Sequence, residues 1–277
     1  MNSSSATLPS APVQVAAVQM VSATDLQTNL AQAGELIAQA AASGAQIVLL
    51  PENFYLMGVK DTDKIALREA FGDGPIQSFL SNAARSHGIW LVGGTLPLVS
   101  PEPGRVLNTA LVFDPQGLMV ARYDKIHLFS LSHGAEQFNE SRTIWPGEQP
   151  CTFASPVGRV GLSICYDLRF PELYRALGDC ALMMVTAAFT YTTGRAHWEL
   201  LLRARAVENQ CYVLASAQGG KHENGRSTWG HSMLIDPWGE IVAELAEGSG
   251  VVQGKVDPAR IIEVRQSLPA LQHRVLR

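Results

Sequence analysis

The sequence predicts an α/β fold in which a mixed sheet packs with helices, and three observations carry that prediction. The apolar pattern switches repeatedly between runs of β character and amphipathic stretches at helical spacing. Asp114-Pro115-Gln116-Gly117 lies between two apolar runs and has the turn residues of a hairpin, so antiparallel pairs accompany parallel ones. No solenoid-length repeat and no separating linker is visible, so one domain over 13–277 is expected, after a loose Ser/Ala/Pro-rich tail at 1–12.

Each element has a local reason. Val13 to Gln19 reads as the first strand. Leu26 to Ala42 carries small and apolar residues at helical spacing and stops at Gly44, which accepts a left-handed cap. Ile47 to Leu50 is a short buried strand, Pro75 to Ser86 a helix with proline in its first turn, and Ile89 to Leu96 a return to β character. Leu107 to Phe113 and Leu118 to Tyr123 flank the hairpin turn. Ile126 to Gly147 has no clear period and holds His, Gly, Asn and Pro, which marks it as a functional loop walling an active site. Val160 to Ile164 and Leu182 to Thr186 are buried strands, Pro171 to Leu177 opens a helix, and Trp198 to Asn209 is a strong helix. Tyr212 to Ala217, His231 to Ile235, Glu240 to Glu244 and Val251 to Val256 are strands separated by turns such as Asp236-Pro237-Trp238-Gly239.

Composition narrows the function. With 47% hydrophobic residues, the chain builds a sizeable core. Its 21 Lys+Arg against 25 Asp+Glu, with no basic run, argue against a nucleic-acid partner. No apolar stretch approaches the roughly 20 residues that cross a bilayer, and the start lacks the charged and apolar regions of a secretory signal. No membrane partner is expected. Cys151, Cys165, Cys180 and Cys211 lack CxxC pairing, which predicts reduced thiols and a cytoplasmic address. The histidines show no paired metal-ligand spacing and no phosphate loop is present, so neither metal nor organic cofactor is expected.

Three reactive side chains each follow an apolar strand, where a sheet can hold them at its rim: Glu52 after Pro51, Lys125 after the strand ending at Tyr123, and Cys165 after Ile164. Singly, Glu52 and Lys125 read as surface charges and Cys165 as a core thiol. Jointly they supply a proton acceptor, an anion stabiliser and a nucleophile for attack on an electrophilic carbon. The turn-to-helix setting before Pro171 is expected to lower the Cys165 pKa through backbone N–H groups and the helix dipole. A Cys–His dyad using His127 is the open alternative.

Leu50-Pro51-Glu52, Tyr123-Asp124-Lys125-Ile126-His127-Leu128 and Gly161 to Glu172 around Cys165 resemble the three ordered motifs of the nitrilase superfamily of carbon-nitrogen hydrolases. The likeness spans nearly the whole chain after Pro12. It implies a four-layer α-β-β-α sandwich whose subunits pair into a homodimer or higher homo-oligomer. It assigns Glu52 as general base, Lys125 as oxyanion stabiliser and Cys165 as the nucleophile that forms a thioester while ammonia leaves. It also assigns Glu140, ahead of Pro146-Gly147, to positioning Lys125 or the amide, and it makes the Tyr166 backbone N–H a second oxyanion donor. Ala196 to Glu208 resembles the small-amidase branch that includes deaminated glutathione amidase and omega-amidase. Cys211 to Val213, His222 and Leu268 to Arg274 tilt towards the former, Phe189 to Gly194 towards the latter. The implied partner is a small carboxylated amide, with Tyr166, Arg169, His127, Phe189, Thr190 and Arg195 as candidate contacts, the arginines for a carboxylate. The same triad also fits another amidase, a nitrilase, an N-carbamoyl hydrolase or an acyl transferase, and a non-enzymatic interaction protein is the remaining class.

Overall fold

Two mixed β-sheets stack face to face, each covered on its outer side by helices, in a computed structural model that describes residues 8–134 and 136–276. In the first sheet the strands lie in the order Gly250–Val256, Val13–Gln19, Ile47–Leu49, Trp90–Val92, Val106–Phe113, Leu96–Val99, and Met119–Asp124 and Ile144–Trp145 also pair with Val106–Phe113. Val13–Gln19, Ile47–Leu49 and Trp90–Val92 run parallel. The hairpin through Asp114 to Gly117 forms as expected, with Ala110 opposite Tyr123. The second sheet runs Thr152–Ser155, Gly158–Ile164, Leu182–Ala187, Tyr212–Ala217, Ser232–Ile235, Ile241–Leu245, its central three strands parallel and its outer pairs antiparallel.

The period-2 alternation of side chains makes the layers. Val13, Val15, Ala17, Ile47 and Leu49 point into the core shared with the second sheet. Their neighbours Ala16, Val18, Val48 and Leu50 point the other way, against Ile37 of helix Leu26–Ala42 and Leu80 of helix Pro75–His87. All six residues of Leu182–Ala187 are buried, as expected of a parallel strand covered on both faces. Helices Pro171–Leu177, Tyr191–Asn209 and Pro258–Ser267 cover the second sheet through Tyr174, Trp198, Leu202 and Ile261. The result is the α-β-β-α sandwich that the resemblance implied.

Several expectations are corrected. The β run Ile89 to Leu96 splits into Trp90–Val92 and Leu96–Val99, because Gly93-Gly94 turns the chain between them. Gly94 has φ 54° and passes so close to Pro51 that a Cβ would lie 2.1 Å from the Pro51 carbonyl oxygen. Only glycine fits there, and this crossing fixes where the chain releases Glu52. The supposedly irregular 126–147 contains a hairpin, Ser130–His133 with Glu136–Asn139, then a 3-10 turn Glu140–Arg142 and strand Ile144–Trp145. The helix expected from Trp198 starts at Tyr191, where Thr190 caps it by accepting from the Thr193 N–H. A further helix, Pro258–Ser267, follows the start signal of Asp257 before Pro258. Of the expected tail 1–12, residues 1–7 lie outside the described residues, and Leu8 packs against the core. Among the described residues no helix is long and apolar enough to cross a membrane.

Candidate active site

Glu52 leaves the first sheet just after Ile47–Leu49, Lys125 just after Met119–Asp124, and Cys165 leaves the second sheet just after Gly158–Ile164. Face-to-face stacking brings these ends together. Glu52, Glu140 and Cys165 line one cleft of about 590 Å³, and Lys125 stands behind it, wholly buried.

The Lys125 ammonium is held between two carboxylates, 2.9 Å from Glu52 Oε1 and 2.8 Å from Glu140 Oε2. Burial alone would lower its pKa, but Glu140 and then Glu52 more than offset that and hold it well above the ordinary lysine value. Both carboxylates are themselves fixed. Glu52 Oε1 also accepts from Asn108 Nδ2 at 2.8 Å, and Oε2 accepts from the Ala188 N–H at 2.9 Å. Glu140 Oε2 accepts from the Phe129 N–H at 2.7 Å. The Pro146-Gly147 turn has a direct purpose: the Gly147 N–H donates to the Lys125 carbonyl, and a Cβ on Gly147 would lie 2.2 Å from the Asp124 carbonyl oxygen.

Cys165 opens a 3-10 turn, Cys165–Arg169, and holds φ at 51°, a left-handed conformation that non-glycine residues adopt at a cost. That bend takes the thiol out of the strand's plane and into the cleft. The expectation of a lowered pKa is overturned. Burial pushes the thiol well above its ordinary range, Glu52 adds to the rise, and Lys125 offsets only part. The helix Pro171–Leu177 begins only after the 3-10 turn, so Cys165 does not stand at its N-terminus. That rise favours the thiol over the thiolate at neutral pH. The ultraviolet thiolate absorbance of the native protein is expected to show no titration between about pH 6 and 8.5; a signal in that range that vanishes in Cys165→Ser would contradict this.

Asp167 ties the lysine's segment to the cysteine's. Fully buried, its carboxylate accepts from Tyr123 Oη at 2.7 Å, from the Ile164 N–H at 2.9 Å and from the His127 N–H at 3.0 Å. It also holds His127 Nδ1 at 2.7 Å, while the imidazole stacks on Phe170 with ring centroids 3.7 Å apart. His127 is thus engaged away from the cleft, which removes the reason for a Cys–His dyad.

Among the other candidates, Tyr166, Arg169, Phe189 and Thr190 line the cleft. The Arg169 guanidinium lies 5.4 Å from the Phe189 ring and 5.8 Å from the Tyr166 ring, with Nη1 3.3 Å from His197 Nδ1. Arg195 is exposed on its helix and is not among the lining residues. Asn108, Asp167, Lys64 and Arg226 join the site only in the folded chain. Asn108 alone left a readable signal, a polar residue inside the apolar strand Val106–Phe113. Among the described residues no group of three or more His, Cys, Asp or Glu is placed to hold a metal ion.

A sandwich with this pocket defines a class, and the sequence profile of the carbon-nitrogen hydrolases matches residues 14–266: the chain belongs to that family. Within it, the chain is 42% identical over 266 residues to deaminated glutathione amidase of Yersinia enterocolitica, covering 94% of this chain and 92% of that protein. It is 38% identical over 265 residues to omega-amidase NIT2 of Homo sapiens, covering 94% of each. Its fold is similar to Nit3 of Saccharomyces cerevisiae, a member of branch 10 of the nitrilase superfamily, with TM-score 0.86, 33% identity, and coverage of 99% of this chain and 100% of that one.

Proposed function

We propose that this protein is a cysteine-dependent amidase that cleaves the amide of a small carboxylated substrate through a thioester, with deaminated glutathione as the leading substrate class. The observation that carries this reading is the Lys125 ammonium buried between Glu52 and Glu140 beside a cleft that Cys165 also lines. In the proposed reaction Glu52 takes the thiol proton as the sulfur attacks the amide carbon. Lys125 and the Tyr166 backbone N–H stabilise the oxyanion. Glu52 then gives its proton to the departing nitrogen as the carbon–nitrogen bond breaks. It next takes a proton from water, whose oxygen attacks the thioester, and the proton returns to sulfur as the acid leaves. Glu140 positions Lys125. Nothing in this scheme calls for a cofactor.

Ammonia, the leaving group that the resemblance implies, belongs to a primary amide. Deaminated glutathione carries only peptide-type amides, so there the departing group is the amine of cysteinylglycine. The second reading, an omega-amidase acting on 2-oxoglutaramate or 2-oxosuccinamate with loss of ammonia, is favoured by the likeness to the human omega-amidase. Deaminated glutathione and 2-oxoglutaramate both yield 2-oxoglutarate, so enzymatic assay of that product compares them directly. Turnover by the native protein, absent in Cys165→Ala, is expected, together with an acyl mass on the Cys165 peptide after rapid acid quenching. No product from either compound would overturn the assignment.

The assembly is proposed to be a homodimer or higher homo-oligomer. Leu200 and Val207 on helix Tyr191–Asn209 and Ile262 on helix Pro258–Ser267 are exposed apolar side chains that a second copy would cover. The proposed address is cytoplasmic, where the free cysteines Cys151, Cys165, Cys180 and Cys211 stay reduced.

A further inference from the structure

With Lys125 standing behind it, the cleft brings the four cations Lys64, Lys125, Arg169 and Arg226 together with the three carboxylates Glu52, Asp61 and Glu140. Glu52 and Glu140 are both engaged by Lys125, and Asp61 is engaged by Arg226, its Oδ1 2.5 Å from Nη2. Two lining cations, Arg169 and Lys64, have no carboxylate within 4.0 Å among the described residues. They come from different parts of the fold. Arg169 ends the turn that Cys165 opens, so it stays beside whatever acyl group the sulfur carries. Lys64 lies on the short helix Asp63–Ala66, in the half of the chain that builds the first sheet.

The wall around Lys64 is built and braced. Asn224 Nδ2 donates to the carbonyls of Met57 at 3.1 Å and Gly58 at 2.7 Å, and its Oδ1 accepts from the Arg226 N–H at 3.0 Å. This pins the loop carrying Arg226 to the loop leading into the Lys64 helix. The Arg226 guanidinium, anchored by Asp61, lies 5.8 Å from the Phe138 ring. A cleft of about 590 Å³ also exceeds what a small primary amide fills.

Resting on the amidase reading above, we propose that Lys64, on the wall that Asn224 braces, receives a second carboxylate on the leaving-group side of the substrate while Arg169 receives the one on the acyl side. The cleft thereby selects amides with a carboxylate at each end. A dianion meets two otherwise unpaired cations, and a compound lacking the far carboxylate leaves Lys64 without its anion.

The test compares deaminated glutathione with its C-terminal amide, in which the far carboxylate alone is neutralised. The native protein is expected to favour the free acid by about 10- to 100-fold in kcat/KM, the effect of one charge-assisted contact. In Lys64→Ala and Lys64→Gln that preference should collapse to within about 3-fold, and Lys64→Arg should retain most of it. A native protein that turns over both compounds alike, or a Lys64→Ala variant that keeps the native preference, overturns the proposal. Absence of turnover of either compound by the native protein fails the amidase reading itself, which a preference ratio measured on active protein cannot do.

Discussion

Lys125→Met is expected to cost about 3–5 kcal/mol of folding stability, the usual effect of removing one partner from a buried ion pair, and to abolish turnover. Methionine nearly matches the volume of the lysine stem, so packing is preserved and charge is the variable. The substitution leaves Glu52, buried, facing Glu140 with no cation between them. The direction with pH follows from the raised Lys125 pKa. The ammonium's contribution is complete below its ordinary value of 10.5 and is lost only as pH rises towards the higher folded-state value. The stability gap between native and variant protein should therefore hold steady from neutral pH to about 10 and narrow beyond it. Denaturant unfolding across that range checks both parts, and a gap under about 1 kcal/mol at pH 7, within the range of ordinary surface substitutions, would sink the argument.

Glu52→Gln is expected to lower kcat by about 100- to 10,000-fold, the range for losing a general base, although the side chain keeps its shape. Both Glu52 oxygens accept from fixed donors: Oε1 from the Lys125 ammonium and Asn108, Oε2 from the Ala188 N–H. An amide nitrogen at either position sets donor against donor, so roughly 1–3 kcal/mol of stability should be lost as well. Native-like kcat in Glu52→Gln would remove Glu52 from the chemistry.

The expected strand ends were legible because they are local. Pro51 stops a ladder, a buried run precedes Cys165, and a hairpin turn marks Asp114 to Gly117; each follows from backbone geometry within a few residues. Glu140 was legible only through its resemblance, since nothing in its neighbourhood says that its carboxylate meets an ammonium. The division of Ile89 to Leu96 had a local signal in Gly93-Gly94, but the close approach that requires glycine at 94 comes from Pro51, distant in sequence and adjacent in space.

By itself, then, the order of residues determined the α/β class, most elements, and the placing of Glu52, Lys125 and Cys165 at strand ends. The tertiary structure alone decided which charges face which. The Lys125–Glu52 pair spans 73 residues of chain; the direction of the Cys165 pKa is set by burial, Glu52 and Glu140 against Lys125, all distant in sequence; His127 is drawn to Asp167 rather than to sulfur. Periodicity encodes what a backbone does over one or two turns, whereas desolvation and Coulomb energies depend on through-space distance, which exists only once the two sheets have stacked.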